Sequence, residues 1–270
     1  MGSDRAIERF SRTVVVVGGF LAAVAASGPA QAQGDSKHLS IGAALSLKPA
    51  FQEIVPLFER EYGATVDVVY GPSQTLRRQI EQGAPIDVFL PAAAEEAEKL
   101  QKKGLTLNGG VRIYAQTSLV LVMPTDSRTL AVSFSDVLSN RATRIALGDP
   151  RTSGLGAITA RALTQFDPAY RSRSRLLYAQ HSEEILNRLH TGEADVGLVY
   201  RVDAINNGHV RIIDETPAGI YMPVRFGQAV VWTCREQSRG IAEEFFNFIV
   251  SPRIQKLLLK YGFDPVSPHG

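Results

Sequence analysis

The sequence predicts an α/β protein of two lobes, each a mostly parallel sheet flanked by helices. Short apolar runs rich in β-branched residues alternate with segments whose apolar residues recur every three or four positions. Turns rich in Ser, Gly and Thr follow the strand-like runs, at the edge where open α/β sheets bind ligands. The second half repeats this layout. Without its first 32 residues the 270-residue chain keeps 238, which suffice for two lobes facing a cleft, although one large sheet fits the same pattern.

The N-terminus has the layout of a secretory signal peptide. A basic start precedes the apolar run Thr13–Ala26, and the small residues Ala30 and Ala32 suit a cleavage site. The run is short for a bilayer span, so an uncleaved membrane anchor is the weaker alternative. We expect residues 1–32 to be removed and the mature chain to begin near Gln33.

Alternating strands and helices are predicted along the mature chain. Ser46 caps a first helix that ends at Gly63, and Ser182 opens a later one. The predicted strands are Leu39–Ala44, Thr65–Tyr70, Val88–Leu90, Ser118–Met123, Arg144–Leu147, Leu176–Ala179, Val196–Tyr200, Val210–Ile213 and Arg225–Trp232. The other predicted helices begin at Ser73 or Gln74, Glu95, Leu155, Arg239 and Pro252. We expect residues 33–122 and 225–270 to form one lobe and residues 123–224 the other.

Composition and motifs exclude several classes. The formal net charge of +2 with no basic block argues against a nucleic-acid partner, and the five histidines lack metal-ligand spacing. The single Cys234 ends an apolar run and is predicted to be a packing residue. An enzyme is the less favoured class, because Arg151 breaks the nucleophile-elbow pattern around Ser153 and no spacing supports a catalytic triad.

Four segments that follow strands offer anion-binding groups: Ser46, Ser73, the turn Gly148–Gly156, and Ser182. Free backbone N–H groups at a helix N-terminus bind anions, but each serine taken alone is more commonly a plain helix cap. Their repetition favours a shared anion site. Tyr200, at a strand end, is equally compatible with a core aromatic residue and with a hydroxyl donor.

Arg77 and Arg78 lie about one turn inside the second helix. Adjacent helical positions diverge by about 100°, so the two side chains do not point into one pocket. We expect them to face solvent and to pair with Glu81 or other carboxylates.

The segments AALSLKPAF (43–51), SQTLRRQIEQGAPIDVF (73–89), IALGDPRTSGLGAI (145–158), GEADVGLVY (192–200) and SPRIQKLLLKYGF (251–263) resemble the periplasmic molybdate-binding proteins of bacterial ABC importers. The resemblance runs from Leu39 to Phe263. It implies a two-lobed periplasmic-binding-protein fold with a hinge between the lobes, and a tetrahedral oxyanion held in the cleft.

The resemblance also implies the site and the partners. Ser46 and Ser73 would donate from one lobe, and the N–H groups of Leu155 and Ser182 and the hydroxyl of Tyr200 from the other. The implied ligand is molybdate or tungstate, with molybdenum bound as its oxyanion, no direct metal ligand and no cofactor. The implied partner is an ABC importer permease in the inner membrane, to which the protein delivers the oxyanion. The protein itself is expected to be a monomer that binds no nucleic acid.

The nearest alternative keeps this fold and binds sulfate or another tetrahedral oxyanion. Leu155 is bulkier than the residue usual in that family, and Arg151 and His181 add a charge and a potential charge near the predicted cleft. A different oxyanion preference would arise at these three residues.

Overall fold

The computed structural model describes residues 37–128, 133–173, 175–216 and 223–266, all within the unit Ser36–Gly270. The predicted signal peptide, residues 1–32, lies outside the described residues. Within the described ranges, no helix combines the length and the apolar character needed to cross a bilayer. Two five-stranded sheets covered by helices form the framework.

The first sheet contains β1 (Lys37–Ala44), β2 (Ala64–Gly71), β3 (Val88–Leu90), β4 (Arg112–Thr117) and β10 (Val224–Val230). Their spatial order is β2-β1-β3-β10-β4. Exposed and half-buried residues alternate along β2, as expected of an edge strand with one face against helices. β1 lies inside the sheet, and from residue 41 onward it is fully buried.

The second sheet contains β5 (Leu119–Pro124), β6 (Arg144–Gly148), β7 (Arg175–Ala179), β8 (Val196–Tyr200) and β9 (Val210–Glu215). Their spatial order is β7-β6-β8-β5-β9. β8 is buried along its whole length, which explains why its sequence, VGLVY, is apolar throughout.

Each sheet is mostly parallel, as predicted, with one strand reversed: β10 in the first sheet and β5 in the second. β1 pairs in parallel with β2 and β3, whereas β10 is antiparallel to β3 and β4. β6 pairs in parallel with β7 and β8, whereas β5 is antiparallel to β8 and β9. β5 and β10 arrive from the other sheet, so no strand–helix–strand crossover fixes their direction. β4, with the partly polar sequence RIYAQT, was not predicted.

The chain passes from the first sheet to the second at Ser118 and returns in β10. The first lobe is hereafter the first sheet with its helices, and the second lobe is the second sheet with its helices. The boundaries expected after residues 122 and 224 fall inside β5 and β10, so that division of the chain stays a prediction.

Helices cover both sheets, and most lie where the periodicity predicts them. The first lobe has α1 (Lys48–Tyr62), α2 (Ser73–Glu81), α3 (Ala94–Lys102), α9 (Arg239–Phe248) and α10 (Pro252–Lys260). The second lobe has α4 (Phe134–Ser139), α5 (Gly154–Phe166), α6 (Tyr170–Arg173), α7 (Ser182–His190) and α8 (Arg201–Ile205). α1 ends as predicted at Gly63, whose φ of 62° is the left-handed conformation that glycine adopts without strain. The short helices α4, α6 and α8 were not predicted.

An aromatic cluster joins the lobes where the chain crosses between them. The ring of Phe226 on β10 meets those of Tyr114, Tyr200 and Phe263 edge to face, at centroid distances of 6.4, 6.1 and 5.1 Å. Such pairs add about 0.5–1.5 kcal/mol beyond the area they bury. The cluster therefore fixes the position of Tyr200 at the end of β8.

Candidate functional site

A cavity of about 280 Å³ opens between the two lobes. Its walls are the segments that follow β1, β2 and β3 of the first sheet and β6, β7 and β8 of the second. This is the carboxyl edge at which open α/β sheets bind ligands. All five predicted site residues line the cavity: Ser46, Ser73, Leu155, Ser182 and Tyr200.

Ser46 does not cap a helix, which corrects the prediction. A short 3-10 turn, Leu45–Leu47, separates β1 from α1, and the residue before α1 is Leu47, which makes no side-chain cap. The Ser46 hydroxyl instead donates a hydrogen bond to Oδ2 of Asp203 at 3.0 Å. Ser46 lies in the first lobe and Asp203 in the second, so this bond spans the cleft.

Ser73 is the first residue of α2, as predicted, and its side chain caps no helix. Its Oγ accepts a hydrogen bond from the backbone N–H of Ala92 at 3.0 Å. A hydroxyl that accepts in this way keeps its own proton for another acceptor. Ser73 can therefore donate into the cavity through its hydroxyl and through a backbone N–H that has no intrahelical partner.

The turn before α5 presents the backbone of Leu155 to the cavity. Ser153 is the N-cap, and its Oγ accepts from the Gly156 N–H at 2.9 Å. Leu155, second in the helix, retains an N–H without an intrahelical partner. The turn is tightly packed, since a Cβ placed on Gly156 would lie 2.3 Å from the carbonyl of Asp149.

Ser182 is the first residue of α7, but the cap of that helix is His181. Nδ1 of His181 accepts a hydrogen bond from the Glu184 N–H at 3.3 Å, so this nitrogen carries no proton in the capped state. The Ser182 hydroxyl is buried. Among the described residues, no polar atom meets both the distance and the angle required for a hydrogen bond to it. The hydroxyl lies close enough to the carboxylate of Asp203 to lower the pKa of that group, so Asp203 is its neighbour in the cavity.

Asp203, in the first turn of α8, is a site residue that sequence reasoning missed. Burial raises the pKa of its carboxyl to about 6, and the negative charge of Glu183 acts in the same direction. Hydrogen bonds from the hydroxyls of Ser182 and Ser46 lower the pKa and offset part of this shift. The sequence gives little signal for this role, because an acidic residue in the first turn of a helix is common. Asp203 lies 157 positions from Ser46 in the sequence, so local sequence patterns cannot reveal their contact.

Two arginines near the site are engaged elsewhere. Arg77 pairs with Glu81, as predicted, and also with Glu96, with Nε–Oε2 at 2.7 Å. Its side chain is 13% exposed, so the expectation that it faces solvent was wrong. Arg151 is exposed and holds Asp149, with Nη2–Oδ2 at 2.8 Å, and it does not line the cavity.

The donor set suits an anion, and the described residues offer no metal cluster. Three helices of nine or more residues, α2, α5 and α7, turn their N-termini toward one cavity, which places three positive dipole ends there. The ionisable residues lining the cavity are Lys48, Glu96, His181, Glu183 and Asp203.

Cys234 is buried, as predicted, and burial raises its pKa to about 12, so its thiol is unreactive.

Residues 39–264 match the sequence profile of the bacterial extracellular solute-binding proteins. The chain belongs to this family. It is thereby a binding protein and not an enzyme. Among its relatives is YvgL of Bacillus subtilis (strain 168), provisionally named an ABC transporter substrate-binding lipoprotein, which is 30% identical over 83% of this chain and 85% of its own length. The molybdate-binding protein ModA of Escherichia coli (strain K12) is 27% identical over 85% of this chain and 90% of its own.

Solved structures support the same fold for this solute-binding protein. The periplasmic molybdate-binding protein of Azotobacter vinelandii superposes with a TM-score of 0.72 at 24% identity, covering 86% of this chain and 100% of that one. The sulfate-binding protein SubI of Mycobacterium tuberculosis H37Rv superposes with a TM-score of 0.74 at 20% identity, covering 86% and 88%. At these identities, the likeness establishes the two-lobed α/β fold.

Proposed function

We propose that this protein binds molybdate or tungstate in the inter-lobe cavity and delivers it to an ABC importer. The observation that carries the proposal is the convergence of Ser46, Ser73, Leu155, Ser182 and Tyr200 on one cavity. These residues come from five separate segments of the chain and from both lobes. The ModA relatives support the choice of ligand.

The chemistry of the donors matches these anions. Molybdate and tungstate are unprotonated dianions near neutral pH, so they accept hydrogen bonds and donate none. Hydrogen phosphate carries a proton that would face donors, and an unpaired buried donor costs about 1–3 kcal/mol. Sulfate lacks that handicap and would have to be excluded by cavity size. We therefore expect hydroxyl and backbone donors to select the dianions.

The transport role follows from the family and the layout. Each lobe supplies only part of the donor shell, so the anion favours the closed arrangement of the lobes. A permease in the inner membrane would recognise that closed form. We propose that the protein is a periplasmic monomer released by cleavage after residue 32 and that it needs no cofactor.

The direct test is a titration of the mature chain, residues 33–270, after exhaustive dialysis against oxyanion-free buffer. Molybdate, tungstate, sulfate and phosphate are each added, and the melting temperature and calorimetric affinity are recorded. Binding to the folded state raises the melting temperature by mass action. Large shifts with molybdate and tungstate alone support the proposal. A larger shift with sulfate would assign the cavity to sulfate, and no shift with any of the four would refute oxyanion binding.

Serine variants test the location of the site. Ser46→Ala and Ser73→Ala each remove a hydroxyl at the cavity, and each should weaken molybdate binding by about tenfold or more with folding nearly intact, since hydrogen bonds to charged groups contribute about 1.5–3 kcal/mol. The matched control is Ser133→Ala, which removes the α4 cap far from the cavity. It should lower stability by about 1 kcal/mol and leave affinity unchanged. Unchanged affinity in both cavity variants would move the site elsewhere.

A further inference from the structure

The hydrogen bond between Ser46 and Asp203 raises a problem for a dianion. Ser46 has one hydroxyl proton, and it is directed to Oδ2 of Asp203 at 3.0 Å. With that proton engaged, the Ser46 oxygen turns only lone pairs toward the remaining space of the cavity. A dianion would meet those lone pairs and the negative charge of a nearby carboxylate. Both effects oppose binding.

We propose, on the basis of the oxyanion site above, that Asp203 is the positioning residue for the Ser46 hydroxyl and takes up one proton when a dianion binds. Protonated Asp203 donates to Ser46 Oγ, and the Ser46 O–H then turns to the anion. The proton comes from solvent, and only hydrogen bonds are rearranged. The occupied cavity then presents donors alone at this wall.

Ser182 strengthens the assignment from a second direction. Its hydroxyl is buried, lacks a partner of full geometry among the described residues, and lies near enough to Asp203 to lower the pKa of that carboxyl. An ionised Asp203 would attract this hydroxyl proton as well. Protonation of Asp203 therefore removes a negative charge that competes with the anion for two hydroxyls, one from each lobe.

The surrounding charges favour protonation. Glu183 on α7 raises the pKa of Asp203 by repulsion. Glu96 is already paired with two cations, and Arg201, on the same helix as Asp203, donates to the Gly262 carbonyl at 3.1 Å. The other ionisable side chains lining the cavity are Lys48 and His181. Burial already brings the pKa of Asp203 to about 6, so repulsion by a bound dianion brings its protonation to neutral pH.

The experiment counts protons. The mature wild-type protein is titrated with molybdate, and in parallel with tungstate, at about pH 6 to 8.5 in buffers of different ionisation enthalpy. We expect uptake of about 0.5–1 proton near pH 7.5, and a dissociation constant that rises by up to about tenfold per pH unit above pH 7. Asp203→Asn supplies a permanent N–H to Ser46, so its dissociation constant should change less than about twofold over the same range. Glu183→Gln keeps Asp203 but removes a repulsive charge, so the pH dependence should persist with its midpoint shifted to lower pH.

The outcomes separate this inference from the proposed function. Molybdate binding with no proton uptake and a flat pH profile overturns the role of Asp203 while leaving the oxyanion site intact. Tighter binding of phosphate than molybdate, without proton uptake, puts the proton on the ligand and also overturns it. Absence of anion binding at every pH refutes the proposed function and the inference together. If the Asp203→Asn variant fails to fold, His181→Asn decides the question: proton uptake that persists without the imidazole supports Asp203 as the proton acceptor, and uptake that disappears overturns its role.

Discussion

At the scale of single residues, the direction of each hydroxyl hydrogen bond decides what a serine can offer a ligand. Ser73 accepts from a backbone N–H and keeps its proton, whereas Ser46 has given its proton to Asp203. The sequence predicted that both residues would lie at the site, and they do line one cavity. It could not predict the direction of either bond, because a hydroxyl both donates and accepts and its partner is distant along the chain.

Arg77 supports the first lobe and does not bind ligand. Arg77→Ala removes the ion pairs to Glu81 and to the 3%-exposed Glu96, leaving Lys99 as the remaining partner of Glu96. The free energy of unfolding should fall by about 1–3 kcal/mol, measured by urea denaturation. Molybdate affinity should change less than about threefold. The exposed neighbour provides the control, as Arg78→Ala should alter stability by less than about 0.5 kcal/mol. A hundredfold loss of affinity in Arg77→Ala would show that this arginine reaches the anion.

The raised pKa of Asp203 predicts a pH dependence of stability without ligand. Its folded pKa of about 6 exceeds the ordinary value of 3.8, so its contribution is fully present below about pH 4 and is lost as pH rises through 6. Relative to Asp203→Asn, the ligand-free wild-type protein should lose about 1–3 kcal/mol of stability between pH 4 and pH 8. Urea unfolding of both proteins at several pH values measures this. A difference that stays constant with pH would mean that Asp203 titrates normally.

At the scale of elements, strong periodicity made most of the fold predictable. β8 and α5 lie within one residue of their predicted bounds, because an apolar run and a stripe of buried residues mark them clearly. β4 was missed because it is partly polar, and α4, α6 and α8 were missed because they have only six, four and five residues. The cap of α7 is His181 and not Ser182, a choice that depends on side-chain direction and not on residue type.

The turn into α5 should tolerate no added side-chain atom at Gly156. A Cβ there would lie 2.3 Å from the backbone of Asp149, so Gly156→Ala must displace the turn that carries the Leu155 N–H. We expect a loss of about 1–3 kcal/mol in stability and weaker molybdate binding. Chemical denaturation and calorimetry measure the two effects.

The matched control for this turn is Gly240→Ala, also near the start of a helix, where a Cβ meets nothing within 4 Å. It should leave binding unchanged and stability equal or slightly higher. Equal stability of Gly156→Ala and the wild-type protein would show that the turn has room to relax.

At the scale of the whole molecule, the sequence did not reveal the contacts and strand directions that join the two lobes. The mixed sheets arise because β5 and β10 each enter from the opposite lobe. Local patterns report which face of a strand is buried but not the direction from which it enters a sheet. The contact of Ser46 with Asp203 is equally non-local.

The arrangement of the lobes predicts a cross-link that would trap the ligand. A Cβ on Gly154 would lie 3.7 Å from that of Ala93, across the cleft and within the range of about 3.5–4.5 Å found in disulfides. In Ala93→Cys/Gly154→Cys, oxidation in the presence of molybdate should slow its dissociation by more than about tenfold, and a reductant should restore exchange. Stopped-flow displacement by tungstate measures the rate.

The native cysteine should not interfere with the cross-link, and a single-cysteine variant provides the control. The native Cys234 is buried and its pKa is raised to about 12, so it should not compete for the new thiols. The single variant Ala93→Cys, oxidised in the same way, should exchange ligand at the wild-type rate. Fast exchange in a fully cross-linked double variant would show that ligand leaves without separation of the lobes.

The engagement of Arg77 by two carboxylates has a consequence for the conditions under which the protein can work. Dissolved salt screens exposed charge pairs over about 8 Å at 0.15 M ionic strength, but it acts weakly on dipoles inside an enclosed cavity. With that guanidinium held by Glu81 and Glu96, the proposed donors at the cleft are hydroxyls and helix N-termini. The affinity for the anion should therefore remain nearly constant as the ionic strength of the surroundings rises.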